Sequence, residues 1–155
     1  MKLGLISAIL GDLNFEEMID FLAECGLECV EVACWPKGKA ERRYAGVSHI
    51  DVDTLDDEKC AYILDYCQKK GVEISSLAYY PNTMEPDVEK RTAYIEHLHK
   101  LIDASAKLGV NMITTFIGRD PKKTVSQNLE LVKEIWPPIL DHAKEKGVKV
   151  AIENC

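Results

Sequence analysis

Two hydrophobic rhythms take turns along this chain. Short apolar or β-branched runs lie at Lys2–Ser7, Cys29–Cys34, Glu73–Tyr79, Asn111–Ile117 and Lys149–Glu153. Their length and residue types predict strands. Between them, apolar positions recur at helical spacing over Phe15–Cys25, Asp56–Lys70, Val88–Leu108 and Val125–Lys146. In the third of these stretches Ile95, Leu98, Ile102 and Ser105 fall on one face, which predicts a helix with an apolar side. Four glycines, Gly26, Gly71, Gly109 and Gly147, each follow a helical stretch and precede a strand-like run. Glycine just past a helix accepts the left-handed conformation that closes the last carbonyls.

The punctuation of the chain agrees. Asn14 followed by Glu16 and Glu17 reads as a helix cap with acids in the first turn. Asp87 is placed to cap the third helix, and Thr54 or Leu55 to open the second beside Asp56, Asp57 and Glu58. Trp136-Pro137-Pro138 falls inside the fourth helix and is expected to kink or split it. Strand–helix alternation with short links implies a parallel sheet with right-handed crossovers. Two closures satisfy that, a doubly wound open sheet and a (β/α) barrel. The first strand is followed by Ser7-Ala8-Ile9-Leu10-Gly11, which is not a dinucleotide-binding loop, and this favours the barrel. The expected fold is α/β: a partial TIM barrel of about four βα units plus a fifth strand, one domain over residues 1–155. Its strands should be adjacent in chain order, with the first and fifth at the edges.

Composition narrows the partners. Hydrophobic residues make up 46% and charged residues 29%, as in ordinary globular domains, and the formal net charge is -7. That charge argues against tracking a nucleic-acid backbone, which needs clustered Lys and Arg. No run approaches the ~20 apolar residues of a membrane span, and the apolar start lacks a cleavage site, so a cytoplasmic location is expected. The six cysteines contain no Cys-x-x-Cys pair and read as reduced, small hydrophobes.

Function in parallel α/β folds collects at the carboxyl ends of the strands. Those ends hold Trp35, Tyr79, Asn82, Arg119, Glu153 and Asn154, a set suited to a polyhydroxylated ligand. Aromatic rings stack on C–H faces, and amides and guanidinium bond to hydroxyls. Alternation in the last strand points Ala151 and Glu153 toward the barrel axis, where a carboxylate is costly unless paired or metal-bound. Glu153 is therefore the strongest catalytic and metal-ligand candidate; the opposing reading is an exposed charge near a terminus. His49 follows the second strand and is a candidate to reach over the mouth, although a loop histidine is more often solvated. Glu31, within the second strand, is expected to be a buried ion pair or water-bonded carboxylate. His97, His99 and His142 read as surface or packing residues. Arg42-Arg43 reads as a loop charge pair, and Arg119 either pairs with Asp120 or holds a substrate oxygen.

The runs Cys34–Val47 and His49–Val52, together with Tyr79-Tyr80-Pro81-Asn82, Thr115–Asp120 and Ile152-Glu153-Asn154-Cys155, resemble sugar phosphate isomerases/epimerases of the xylose-isomerase-like TIM-barrel superfamily. The resemblance extends over the whole chain. It implies a divalent metal (Mn, Mg, Co or Zn) held partly by Glu153, a sugar or sugar phosphate substrate, and proton transfer next to a carbonyl through an enediolate. It also implies further ligands, an Asp, a His and a second Glu, from later strands. A complete barrel takes about 250 residues, so the 155-residue chain is expected to lack turnover alone and to self-associate through open sheet edges. The alternatives are a non-catalytic half-barrel that pairs with another chain and, lower, an endonuclease-type member of the superfamily.

Overall fold

The computed structural model describes residues 1–37 and 45–153. Arg42, Arg43, Asn154 and Cys155 lie outside the described residues. Five strands, β1 (Gly4–Ile6), β2 (Cys29–Ala33), β3 (Glu73–Ala78), β4 (Met112–Thr115) and β5 (Lys149–Ile152), alternate with four helices, α1 (Phe15–Glu24), α2 (Asp57–Lys70), α3 (Val88–Lys107) and α4 (Val125–Glu145). All pairings are parallel and the order is β1-β2-β3-β4-β5. The expected topology therefore holds, with β1 and β5 at the edges. The helices are capped as their sequences dictate. Asn14 and Glu17 form a reciprocal capping box, as do Thr124 and Gln127, and Asp87 accepts from the Glu89 and Lys90 amides. The second helix departs from expectation. Its cap is Asp56 rather than Thr54 or Leu55, because only Asp56 has a carboxylate placed to accept from Lys59 N.

The fourth helix does not split at its two prolines. α4 runs through Pro137 and Pro138 as one element. Each proline removes the amide that would bond the carbonyl four residues back. Those carbonyls belong to Lys133 and Glu134, which, like both prolines, are exposed. Exposed carbonyls can be hydrated there, while Trp136, Ile139 and Ala143 on the other side stay buried.

The core fills the space between sheet and helices. Val30 and Val32 of β2, Ile74 and Leu77 of β3 and Ile113 of β4 meet Met18, Leu22, Ile63, Leu98, Leu101, Ile102 and Ile139 from the helices. One irregularity governs what the inner face presents. Val30 pairs with Ile74, but Glu31 pairs with Ser76, leaving Ser75 as an extra residue in β3. Ile74 and Leu77 thus both face the helices despite being three apart. Beyond the bulge the alternation resumes, with Ser76, Ala78 and Tyr80 directed inward and Leu77 and Tyr79 outward.

Candidate functional site

A pocket of about 670 Å³ opens at the carboxyl ends of β3, β4 and β5. That size suits a small-molecule ligand. Tyr80, Asn82, Phe116, Arg119, Ile152 and Glu153 are among its lining residues. Arg119 and Glu153, expected on one rim, do share it. Glu153 follows β5 directly, and its amide donates to Thr115 O at 3.0 Å, extending the β4–β5 ladder by one bond. Its side chain is exposed rather than entombed, so the dehydration cost anticipated for an inward carboxylate is largely avoided. Glu153 also borders a smaller cavity of about 360 Å³ inside the half-barrel, shared with Gly4, Cys29, Glu31 and Ser75.

The aromatic wall differs from the sequence expectation. Tyr79 is buried in the core, with its ring 4.7 Å from that of His97 and edge-on to it. Tyr80 lines the pocket instead, because the bulge in β3 sets which of the two neighbours faces in. The Tyr80 ring lies 5.7 Å from Trp35 and 4.5 Å from Phe116, within the range of tilted aromatic contacts. Trp35 thus supports the wall from behind. Burial first, and then the hydrogen bond to Glu31, hold the Tyr80 phenol proton well above its ordinary range.

Asn82 is spent on architecture. Its Nδ2 donates to Arg119 O and its Oδ1 accepts from Arg119 N, both at 2.9 Å, and Oδ1 also accepts from Met84 N. Thr83 Oγ1 donates to Ile117 O at 2.7 Å, so the loops after β3 and β4 are joined side by side. Gly118 sits in this junction with φ +78, and a Cβ there would collide with Asn82. A second amide, Asn128, accepts from Asp120 N and donates to the Asp120, Lys123 and Thr124 carbonyls. Arg119 is held by its backbone between these two clamps. Among the described residues its guanidinium has no ion-pair or hydrogen-bond partner, and Asp120 instead accepts from Lys122 N. The pairing of Arg119 with Asp120 weighed from sequence does not form.

His49 does not reach this pocket. The chain after β2 returns antiparallel beside it through a Cys34–Ser48 bridge, and His49 N donates to Ala33 O. That delivers the imidazole to the β1 side, with Nδ1 3.0 Å from Ser7 Oγ. The Ser7 oxygen already accepts from Ala33 N, so its own proton is free to go to Nδ1. Burial pushes the His49 imidazole down, against the Leu10 and Leu13 carbonyls nearby. Its Nε2 is buried without a partner in hydrogen-bonding geometry. His97 is a packing residue as expected, with Nε2 donating to Cys34 O at 2.8 Å. Among the described residues no group of three or more His, Cys, Asp or Glu is placed to hold a metal ion, so Glu153 is a single potential ligand and these residues do not by themselves fit the implied metal. No described helix is long and apolar enough to cross a membrane.

Two residues were not singled out as site residues from the sequence. Tyr80 stands beside Tyr79, and only the bulge distinguishes them. Asn128 lies within a helix, where nothing in a linear reading marks it as the clamp of a loop eight residues earlier.

Comparison with known proteins agrees with this architecture. Residues 19–155 match the family model described as xylose isomerase-like TIM barrel. None of the curated proteins matches. Among solved structures, D-psicose 3-epimerase with D-tagatose from Clostridium cellulolyticum H10 superposes with a TM-score of 0.69 at 18% identity, covering 97% of this chain and 51% of that one. The probable 3-DHS dehydratase AsbF from Bacillus anthracis gives 0.71 at 17%, covering 98% and 52%. The IOLI protein with a bound zinc atom gives 0.67 at 17%, covering 98% and 51%. The chain thus spans about half the length of these structures, and at such identities the likeness shows the fold alone. The family match covers most of the sequence: the chain belongs to the xylose isomerase-like TIM barrel family.

Proposed function

We propose that this chain supplies the β1–β5 half of the active site of a metal-dependent sugar or sugar phosphate isomerase or epimerase. One observation carries the reading. Glu153, at the carboxyl end of β5, shares a pocket with the guanidinium of Arg119 beside the rings of Tyr80 and Phe116. A sugar fits that arrangement, with C–H faces against the rings and hydroxyls toward the polar rim. Glu153 takes the proton from a carbon next to the carbonyl. Negative charge then develops on the carbonyl oxygen, and Arg119 is the cation on the same pocket that answers it. Holding both ends of the ligand before the proton moves lowers the entropic part of the barrier. The divalent ion that the zinc-bearing relative suggests would take one carboxylate from this chain, and the steps assigned here belong to its side chains.

Exchange of carbon-bound hydrogen tests this. A complete barrel containing this chain, supplemented with metal, is incubated with D-tagatose or D-fructose in deuterated water, and deuterium at the carbons flanking the carbonyl is read by NMR; the 155-residue chain alone is expected to give no turnover. Incorporation that disappears in Glu153→Gln is expected. Incorporation at an undiminished rate in that variant would refute the assignment. The dehydratase among the similar structures marks a nearby chemistry. Loss of a hydroxyl as water, in place of exchange, would move the protein to that class.

A further inference from the structure

The interior of the half-barrel contains a carboxylate that the reaction above leaves unused. Glu31 stands in the middle of β2, between Val30 and Val32, which face the helices. It is half-buried and borders the axial cavity together with Glu153. The ion pair considered there does not form among the described residues, and two hydroxyls hold the carboxylate instead. Its Oε2 accepts from Ser76 Oγ at 3.1 Å, and its Oε1 accepts from the Tyr80 hydroxyl. Both donors are inward-facing because Ser75 bulges out of register. The ring of Tyr80 is already packed between Trp35 and Phe116 without its bond to Glu31. The hydroxyl and its carboxylate partner therefore serve something other than packing.

A phenol has one proton to give. A carboxylate can only accept, so Glu31 draws that proton inward, away from the mouth. Thr114 also faces the Tyr80 oxygen as a side-chain donor, and what is left for a ligand is the remaining lone pair of that oxygen. We propose that Glu31 is a positioning residue that sets the hydrogen-bonding polarity of Tyr80, so that the pocket wall accepts from a hydroxyl of its ligand. It then selects a free hydroxyl over a hydrogen, fluorine or ether at that carbon. This rests on the reading of the pocket as a polyol site and names one of its specificity contacts.

The test compares binding of D-tagatose with binding of its monodeoxy and monofluoro analogues by calorimetry. The unaltered protein is expected to bind analogues changed at one particular carbon about tenfold more weakly, the worth of one such bond. Tyr80→Phe and Glu31→Leu should each abolish that discrimination, and the double variant should lose no more than either alone. Glu31→Gln keeps a carbonyl acceptor and should retain most of it, which a purely electrostatic role would not allow. A second measurement needs no ligand. The ring-carbon resonance of labelled Tyr80, assigned through Tyr80→Phe, should move in Glu31→Leu and return in Glu31→Gln. Thermal melts confirm that each variant is folded. Unchanged discrimination in Glu31→Leu, or an unmoved resonance, would overturn the proposal. Failure of the unaltered protein to bind any ketose would instead refute the polyol reading, while the resonance still decides whether Glu31 holds the phenol.

Discussion

The two ends of this half-barrel are built on opposite principles. At the base, one solution repeats. Gly26, Gly71, Gly109 and Gly147 each close a helix with positive φ, and a Cβ at any of them would meet nothing within 4 Å. At the mouth every connection differs. Gly118 also has positive φ, but a Cβ there would strike Asn82, and the surrounding backbone is gripped by two amide side chains. The base uses glycine for backbone conformation alone. The mouth uses it for conformation and space together. Repetition at one end and individuality at the other is the division expected when one rim keeps the fold and the other carries the chemistry.

Substitutions at the two ends should therefore separate stability from activity. The largest effect belongs to the mouth. In a complete barrel containing this chain, Glu153→Gln is expected to lower turnover by about 10²–10⁴-fold, the usual worth of a positioned acid/base, with an unchanged melting temperature. Full activity in that variant would leave the mouth without its central residue. Gly118→Ala should cost roughly 2–3 kcal/mol in a denaturant titration, since left-handed strain adds to a collision. It should also weaken ketose binding, because Arg119 moves with the loop. Gly71→Ala, with the same φ but open surroundings, should cost only about 1 kcal/mol and leave binding intact. Equal costs at the two positions would erase the distinction between the ends.

The smallest effect is a pH dependence of folding. Burial lowers the imidazoles of His49, His97 and His99 below their ordinary value of 6.5. On acidification through that value the unfolded chain takes protons that the folded chain refuses. Stability is thus complete above pH 6.5 and falls as pH drops toward the folded-state values. Urea midpoints at about pH 7.5 and about pH 5.5 should show the decline, and His97→Gln should reduce it. A midpoint that rises on acidification would contradict the burial of these rings.

The base was readable because it depends on local chemistry. A glycine after an amphipathic stretch acts within a few residues, as do the helix caps Asn14 and Asp87 on the mouth side. The same holds for strand order, since short crossovers leave few alternatives. The mouth was readable only as a set of strand ends. Glu153 and Arg119 are brought to one pocket by topology alone. Tyr79 is not where a ligand would meet it, and Asn82 lines the pocket with much of its hydrogen-bonding capacity already engaged, for two different physical reasons. Tyr79 was displaced by a bulge that arises from pairing with β2, a partner more than forty residues away in the chain. Asn82 has its Oδ1 and one Nδ2 donor engaged, chiefly by a loop from the next βα unit. His49 was carried elsewhere by an antiparallel return along β2. Each departure came from contacts between units, and those leave no trace in the periodicity of either one.

The extra residue in β3 makes the strand behave like a reading frame. Deleting Ser75 would leave Ile74 and Ser76 as neighbours in simple alternation, with Leu77 and Tyr79 still toward the helices and Tyr80 still toward Glu31. Pairing the same residues without the bulge would instead exchange every face after Ile74, so that Tyr79 looked into the pocket and Tyr80 lay against the helix layer. The chemistry of the wall is thus set by strand register as well as by residue type.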